Sequence, residues 1–439
     1  MASAPSLAET PPGARESAAL PPPRGPRLPP LLQSYLALQW LVPYQRWANR
    51  RYGDVFRTRL IPLGRVVAIA DPELVKQALT GPPDVFHAGD SNRRFLQPVL
   101  GSRGVLVLDG DEHMATRKRL LPPFHGEAIR GYEQVIREET EKRIDGWPVG
   151  KPIRMSRETR AITLEVIMRT VFGAGSSQEL AELRAVLGTV THVTFVRSLW
   201  YVAPWLRVVP PWHGYARAVR RSKELLQELI AERRTAPDLD ERDDVLSVLI
   251  RGGEDDDKWL RDQVMNLLAA GHETTTTGLA WAMELLARHP EIRAKARESD
   301  DAYLDAVVNE TLRIRTVIPG ATRKLRQPIT LGPYRIPAGV TLLPMSSVVH
   351  MDPRLYPEPE VFRPERFLGK RPGSYTWFPF GGGTRRCIGA AFAQTEMRVA
   401  LRTILDRTDW EPAGRRPERQ RNFHITLVPS RGARVVRTR

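Results

Sequence analysis

The chain has 439 residues, of which 41% are hydrophobic and 26% charged, a balance that is typical of a globular protein and excludes a disordered or fibrous chain. Its formal charge of +16 comes mostly from arginine, but acids are scattered among the cations, which argues against a nucleic-acid-binding stripe. The charge instead favours electrostatic docking of an acidic protein partner, with no binding of nucleic acid.

Segments that would place the chain in or across a membrane are not evident. No stretch approaches the ~20 apolar residues of a bilayer-spanning helix. No uninterrupted apolar run precedes a small-residue cleavage site, so a secretory signal is not expected. The only cysteine is Cys387, which excludes an internal disulfide. These features together predict a cytoplasmic protein without a transmembrane anchor.

The first 30 residues carry nine prolines and little apolar pattern. Such a segment buries too little apolar surface to offset its ordering entropy. We therefore expect a disordered proline-rich leader over 1–30. No repeat and no shift of composition marks a later boundary, which predicts one domain over 31–439.

Apolar positions recur at helical spacing through most of this domain, as in 164–172, 222–234 and 301–315. The strongest helical pattern runs from Trp259 to Arg288 and is closed by Pro290. A helix of this length spans about 45 Å, the width of a domain.

The middle of that helix, 269–277, contains a glycine and a run of threonines, which are poor choices for a helix centre. A threonine hydroxyl bonded to the carbonyl four residues back would loosen the helix there. This departure from helix rules inside a buried helix indicates a functional site. Strand patterns are few, over 57–70 and 328–343, so the fold class is mostly α with a small β portion.

Cys387 follows three consecutive glycines and two arginines, and helical periodicity begins just after it. Glycines allow close approach of the backbone, and the nearby cations and helix N-terminus predict a depressed thiol pKa. A small buried hydrophobe remains an alternative. A phosphate loop lacks its Gly-Lys-Ser/Thr ending, and a nucleophile lacks a nearby histidine base. A thiolate metal ligand, completed by a cofactor such as a haem, also fits.

Four motifs in the right order resemble those of the cytochrome P450 haem-thiolate monooxygenases. The cysteine loop has Phe-x-x-Gly-x-Arg-x-Cys-x-Gly, from Phe380 to Gly389. The others are Glu310-x-x-Arg313, the segment from His350 to Arg366, and Ala-Gly-His-Glu-Thr-Thr over 270–275. The resemblance covers about 44–427. It implies the P450 fold, with haem b lying between the long central helix and the helix after the cysteine.

The resemblance also assigns residues to the cofactor. Cys387 would ligate the iron, and Phe380 and Gly381 of its loop would contact the haem. Four side chains would donate to the haem propionates by charge-assisted bonds: His113, Arg117, Arg323 and Arg385. Glu310 and Arg313 lie on one helix face. Either they form an exposed pair of little worth, or, as the family implies, a buried structural triad with Arg366.

His272 and Glu273 do not form a zinc-protease motif, because position 276 is threonine and not histidine. By resemblance, Thr274 and Glu273 are the catalytic residues that deliver protons to bound oxygen. A mere helix distortion is the alternative. Many family members have aspartate in place of this glutamate, which keeps the chemistry but changes its reach.

The resemblance implies reductive activation of O₂ and insertion of one oxygen atom into an apolar organic substrate, by hydroxylation or epoxidation. Electrons would come from a separate ferredoxin and its NAD(P)H-dependent reductase, docking near Lys118, Arg119 and Arg386. A peroxygenase or isomerase, or a non-catalytic haem sensor, is the alternative function.

Six aromatic residues fall within 193–215, among three prolines. By resemblance this segment roofs the haem pocket, where it would act as a lid for a bulky apolar substrate. Ordinary helix packing and peripheral contact with a membrane surface are the alternatives.

Overall fold

The computed structural model describes residues 20–61, 63–175, 177–191, 212–254, 256–369, 373–423 and 425–439. Within these ranges the chain forms α-helices and short strands, with 3₁₀ turns at Pro122–Phe124, Leu239–Glu241, Pro364–Phe367 and Gly383–Arg385. The helices are α1 (Pro30–Gln39), α2 (Leu41–Tyr52), α3 (Pro72–Thr80), α4 (Gly89–Leu100), α5 (Gly110–Leu120), α6 (Glu127–Asp145), α7 (Met155–Phe172), α8 (Gln178–Thr191), α9 (Trp212–Arg234), α10 (Val245–Arg251), α11 (Asp257–Arg288), α12 (Pro290–Glu298), α13 (Asp301–Ile314), α14 (Ser346–Val349) and α15 (Ala390–Arg407).

The strands are β1 (Val55–Leu60), β2 (Gly64–Ile69), β3 (Phe86–His87), β4 (Pro152–Arg154), β5 (Arg323–Leu325), β6 (Ile329–Leu331), β7 (Tyr334–Ile336), β8 (Thr341–Pro344), β9 (Trp410–Pro412), β10 (Gln420–Phe423), β11 (Thr426–Pro429) and β12 (Arg434–Arg437). The largest sheet has the order β1-β2-β8-β5-β3. Its only parallel pair among these strands is β2 with β8, in which Val66 faces Thr341. The fold is therefore mostly α with a small β portion, as the sequence predicts.

Helix α11 crosses the helical core and spans about 48 Å for its 32 residues. Asp256 caps its start by accepting from the backbone N–H groups of Lys258 and Trp259, and it ends before Pro290, as predicted. It packs against α7, α9, α13 and α15, so most of its surface is buried. A second apolar cluster lies between the five-stranded sheet and its neighbouring helices.

The threonine run of α11 does not interrupt the helix. The hydroxyls of Thr274, Thr275 and Thr277 donate to the carbonyls four residues earlier, at 2.8, 3.0 and 3.0 Å. The predicted back-bonds therefore form, but the helix runs unbroken through them. The Thr276 hydroxyl instead lies 2.7 Å from the Thr163 hydroxyl of α7, which ties the two helices together.

The predicted leader falls mostly outside the described residues, because 1–19 are not among them. Its last part has a defined place, in contrast to the predicted disorder. The Arg24 carbonyl accepts a 2.8 Å hydrogen bond from the Arg57 N–H of β1, and Pro23 and Pro26 are buried. An extended proline-rich backbone can pack along a strand edge without an apolar pattern of its own. No helix in the described ranges is long and apolar enough to cross a membrane.

One buried acid of α15 has no charged partner. Glu396 is 1% exposed, and its Oε1 has no hydrogen-bond partner in the described part of the chain. Burial raises the pKa of this carboxyl well above its ordinary value, although a hydrogen bond with Thr275 of α11 opposes the shift. Burial in the core therefore favours the neutral, protonated form of Glu396.

Glu396→Gln should make the protein more stable at neutral and alkaline pH. The folded state keeps a proton that the unfolded chain releases above pH about 4.5, so the stability due to this group is present below that pH and is lost as pH rises. Glutamine has nearly the same shape but does not ionise. We expect the free energy of unfolding of the variant to exceed that of the wild type by about 1 kcal/mol or more at pH 8. Thermal unfolding between about pH 5 and 8 measures it.

The exposed Glu112→Gln is the matched control and should leave the pH dependence of the melting temperature unchanged. A Glu396→Gln profile parallel to that of the wild type would show that Glu396 is ionised in the folded protein.

Candidate functional site

The cysteine loop is held against α3 by close backbone contact. Gly383 has φ 62°, and a Cβ there would lie 2.1 Å from the Leu79 carbonyl oxygen, so only glycine fits. Gly381 also has positive φ, at 68°. The Cys387 N–H donates to the Phe380 carbonyl at 2.9 Å, which closes the loop just before α15 begins.

The Cys387 thiol is accessible to solvent yet lies deep within the fold, with protein around it on most sides. This desolvation raises the pKa of the thiol, and it outweighs the Gly389 N–H and the charges of Arg117 and Arg386, which lower it. The predicted depressed pKa is therefore wrong for the protein alone, because the sequence shows neighbouring charges but not depth of burial. Coordination to a metal ion would deprotonate the thiol.

The four residues expected at the propionates come together from three separate parts of the fold. His113 and Arg117 lie one turn apart on α5, Arg323 begins β5, and Arg385 lies in the cysteine loop. Burial lowers the pKa of Arg323 and of Arg385 to about 10, and repulsion among the guanidiniums adds to the effect. The site is thus a buried group of like charges.

Within the described ranges, hydrogen bonds to the protein are unevenly shared among the side chains of this group. Arg385 is well held, by the carbonyls of Val105 and Leu108 and by Asp109 at 2.7 Å. Arg323 is 4% exposed, but among the residues that the structure describes its side chain donates only to the Thr322 carbonyl, at 2.9 Å. These positively charged donors fit an anionic group with several acceptor oxygens, such as the two propionates of a haem, beside a cysteine that can supply the fifth ligand.

His113 is an imidazole among three guanidiniums, and without a bound anion its neutral form is favoured. Burial, with the nearby charges of Arg385, Arg117 and Arg323, lowers the pKa of its imidazole to about 3. The predicted role of His113, a charge-assisted bond to a propionate, stays a prediction. A propionate beside it would favour its protonated form.

Glu273 and Thr274 are adjacent on α11 but have different partners. The Glu273 carboxylate accepts a 2.9 Å ion-paired hydrogen bond from Arg160 of α7. The Thr274 hydroxyl donates to the Ala270 carbonyl at 2.8 Å, which leaves its oxygen free to accept a proton donor. Arg160 is 38% exposed, so the acid is linked to the protein surface.

Three partners in and around this site are not evident in the sequence. Arg160 lies 113 residues before Glu273, and Asp109 lies 276 residues before Arg385. Neither pairing leaves a local signal. Asp109 also accepts from the N–H groups of Gly89 and Asp90, at 2.7 and 2.8 Å, so one carboxylate fixes both α4 and the cysteine loop. The third is Glu396, an acid on the buried face of α15, which a helical periodicity plot could have indicated.

The Glu310–Arg313 pair is a buried structural unit, which excludes the alternative of an exposed pair. Both side chains are 0% exposed and joined at 2.6 and 2.8 Å, and Arg366 lies 3.4 Å from Glu310. Arg313 also donates to the carbonyls of His350 and Pro359. It thereby ties α13 to the segment that leads to the cysteine loop.

Residues 192–211, which include most of the aromatic segment 193–215 predicted as a lid, lie outside the described residues. The end of this segment forms the start of α9, where the Tyr215 hydroxyl donates to the Val190 carbonyl of α8 at 3.1 Å and the ring is buried. Ordinary helix packing is therefore correct for Tyr215.

Of the cations expected to dock a partner, Arg119 pairs with Glu254 and lies over the ring of Trp259. Lys118 and Arg386 are exposed.

Comparison with known proteins gives a consistent result. The family model described as cytochrome P450 matches residues 22–436. "Putative cytochrome P450 135B1" of Mycobacterium tuberculosis (strain ATCC 25618 / H37Rv) is 41% identical over 94% of this chain and 90% of its own. "Putative cytochrome P450 138" of the same strain is 37% identical over 96% and 98%.

Solved structures agree in fold. The retinoic acid-bound cyanobacterial CYP120A1 superposes with a TM-score of 0.83 at 24% identity, over 95% of this chain and 99% of that one. The haem domain of cytochrome P450DA has a TM-score of 0.81 at 23% identity, over 95% and 98%. With a family match across nearly its whole length, the chain belongs to the cytochrome P450 family of monooxygenases, which bind haem b.

Proposed function

We propose that Cys387 is the axial thiolate ligand of haem b and that Phe380 and Gly381 of its loop contact the ring. When bound, the haem supplies reductive activation of O₂ and insertion of one oxygen atom into an apolar substrate. The observation that carries the proposal is the buried group of guanidiniums beside this loop. Arg117 interacts electrostatically with both Cys387 and Arg386, which links the propionate donors to the thiolate.

The propionates are bound by Arg117, Arg323, Arg385 and His113. Three of these lie within the repulsive field of the others, so two carboxylates would remove a cost that the folded protein otherwise bears. Asp109 orients Arg385 by its 2.7 Å bond, and thus acts as a positioning residue.

Glu273 and Thr274 would relay protons from the protein surface into the haem pocket. The 2.9 Å ion pair with the partly exposed Arg160 holds the Glu273 carboxylate near solvent, where it can exchange protons. The Thr274 oxygen accepts a hydrogen bond from a group in the pocket while its own hydroxyl hydrogen is donated to the Ala270 carbonyl, which fixes its rotamer. These roles give the acid and the hydroxyl separate tasks, which fits their separate faces of α11.

A ferredoxin with its NAD(P)H-dependent reductase supplies the electrons, docking near Lys118 and Arg386, and the protein acts in the cytoplasm. Both side chains are exposed beside the cysteine loop and α5.

Apolar ligands are identified by displacement of iron-bound water, seen as a Soret shift. Retinoic acid, which the cyanobacterial structural neighbour binds, is a suitable first probe.

Cys387→Ser should abolish the red-shifted Soret band of the reduced carbon monoxide complex, because that band depends on a thiolate ligand. Thr384→Ala, an exposed position in the same loop, is the control and should keep the band. A serine variant that retains the band would exclude Cys387 as the ligand.

Thr274→Ala should retain haem and substrate binding but divert reducing equivalents to peroxide, because proton delivery is impaired. We expect product formed per NAD(P)H to fall by about tenfold or more. Thr274→Ser should restore coupling. Thr277→Ala, which removes a similar back-bond one turn away, is the structural control. Equal coupling in Thr274→Ala and wild type would exclude the role.

Lys118→Glu should slow the first electron transfer from an acidic ferredoxin and reduce the dependence of its rate on salt, since complementary charge accelerates association. A fall of about tenfold at low salt is expected. Lys151→Glu, an exposed lysine before β4, makes the same charge change away from α5. If both variants slow the reaction equally, the effect is one of net charge and not of docking.

A further inference from the structure

Helix α1 turns a polar side chain inward and apolar side chains outward. Its polar Gln33 is turned inward and is 2% exposed, with hydrogen bonds from the Thr58 hydroxyl at 2.6 Å and the Arg59 N–H at 3.0 Å. Ala37, one turn on, is also buried. The opposite face is apolar and lies in solvent, and Leu31 alone is 74% exposed.

Exposed apolar side chains are concentrated in this part of the protein. Of the twelve large hydrophobic side chains that are exposed in the described ranges, eight lie within 20–61, so the patch is not chance scatter. They are Leu20, Leu31, Leu32, Tyr35, Leu38, Trp40, Trp47 and Ile61. Ile61, at the tip of the β1–β2 hairpin, adjoins α1 because its N–H donates to the Ser34 hydroxyl at 2.8 Å.

An arginine-lined cleft adjoins α1 on the side of Gln33, which is one of its lining residues. The cleft has a volume of about 480 Å³ and lies between the proline-rich segment before α1, the β1–β2 hairpin and the β7–β8 turn. Five exposed arginines line it, and no acid does: Arg27, Arg57, Arg59, Arg65 and Arg335. No ion pair joins any of them to an acid in the described ranges, whereas most arginines elsewhere in the fold are paired with acids.

The charge of this region is strongly one-sided. Residues 20–70 contain eight arginines and one acid, Asp54, which gives +7 of the chain's total of +16. Asp54 is itself paired with Arg354. The cleft arginines therefore have no counter-charge of their own, and their guanidiniums are suited to phosphate oxygens.

We propose that α1 and the hairpin tip form a docking surface for a membrane that carries anionic phospholipids. The apolar face of α1 enters the headgroup boundary, and the arginine cleft receives lipid phosphates. An in-plane helix with an apolar face and flanking cations has this chemistry, and tryptophan and tyrosine such as Trp40 and Tyr35 are favoured at that depth.

Two features favour a membrane over other occupants. A second copy of this chain would bring two arginine-rich surfaces together and would be opposed by their charge. A soluble phosphate compound would use the cleft but would leave the apolar face of α1 in water. Only an extended surface that is both apolar and anionic would cover the apolar side chains of α1 and also neutralise the arginines of the cleft.

The test is co-sedimentation of the haem-loaded full chain with vesicles. Wild type should bind vesicles of phosphatidylcholine with phosphatidylglycerol, and bind phosphatidylcholine alone far more weakly. Each basic residue near an anionic membrane contributes about a fivefold gain. Arg57→Gln/Arg59→Gln/Arg65→Gln should therefore weaken binding by about a hundredfold. Leu31→Ser/Leu38→Ser should weaken binding to both vesicles while leaving the arginine cleft intact.

The charge-matched control is Lys142→Gln/Lys151→Gln/Arg157→Gln, three exposed cations on α6, α7 and the turn before β4, and it should bind as wild type does. Equal loss in this control would overturn the proposal in favour of net charge. Retention of binding in either test variant would also overturn it.

Two further arms identify a different occupant. Binding of inorganic phosphate in the cleft without any vesicle binding would assign the cleft to a soluble ligand. Self-association that is abolished by Leu31→Ser/Leu38→Ser, again without vesicle binding, would make the face a dimer interface. Either result overturns the membrane proposal. The carbon monoxide spectrum of each variant confirms an intact haem site independently of membrane binding.

Discussion

The buried positive charge beside the cysteine loop is the constraint on which this site depends. Arg117, Arg323 and Arg385 are gathered there with one acid, Asp109, close to Arg385. Folding alone does not balance this charge, because the guanidiniums repel one another and are partly removed from water. The surrounding fold must therefore hold these side chains in place, and the fully buried pair of Glu310 and Arg313 fixes the path of the chain near them.

A fully buried charged pair adds little net stability over an apolar one, but loss of one partner is costly, at about 3–5 kcal/mol. Arg313 illustrates why such a pair is retained. Its guanidinium donates to carbonyls of the segment that follows α14, and thus fixes the path of the chain toward Cys387. Arg313 therefore helps to keep rigid the part of the fold in which the guanidiniums repel one another.

Local patterns were enough to predict α11 and its end before Pro290, parts of α7, α9 and α13, and the cysteine loop with the helix after it, because each depends on neighbours in the chain. Contacts distant in sequence could not be predicted in this way. The bond from Arg160 to Glu273 and the inward turn of Gln33 on α1 depend on tertiary packing. The pKa of Cys387 was predicted in the wrong direction for the same reason, since depth of burial has no local signature. The ordered end of the leader was missed because composition does not show that a strand edge is available to it.

The central claim is that the buried guanidiniums are balanced by the carboxylates of the cofactor. Reconstitution of the haem-free protein with haem b and with its dimethyl ester tests this directly, because the ester keeps the ring and iron but removes both negative charges. The ester should bind at least about tenfold more weakly, since each charge-assisted hydrogen bond contributes about 1.5–3 kcal/mol. Equal affinity for the two would contradict the account.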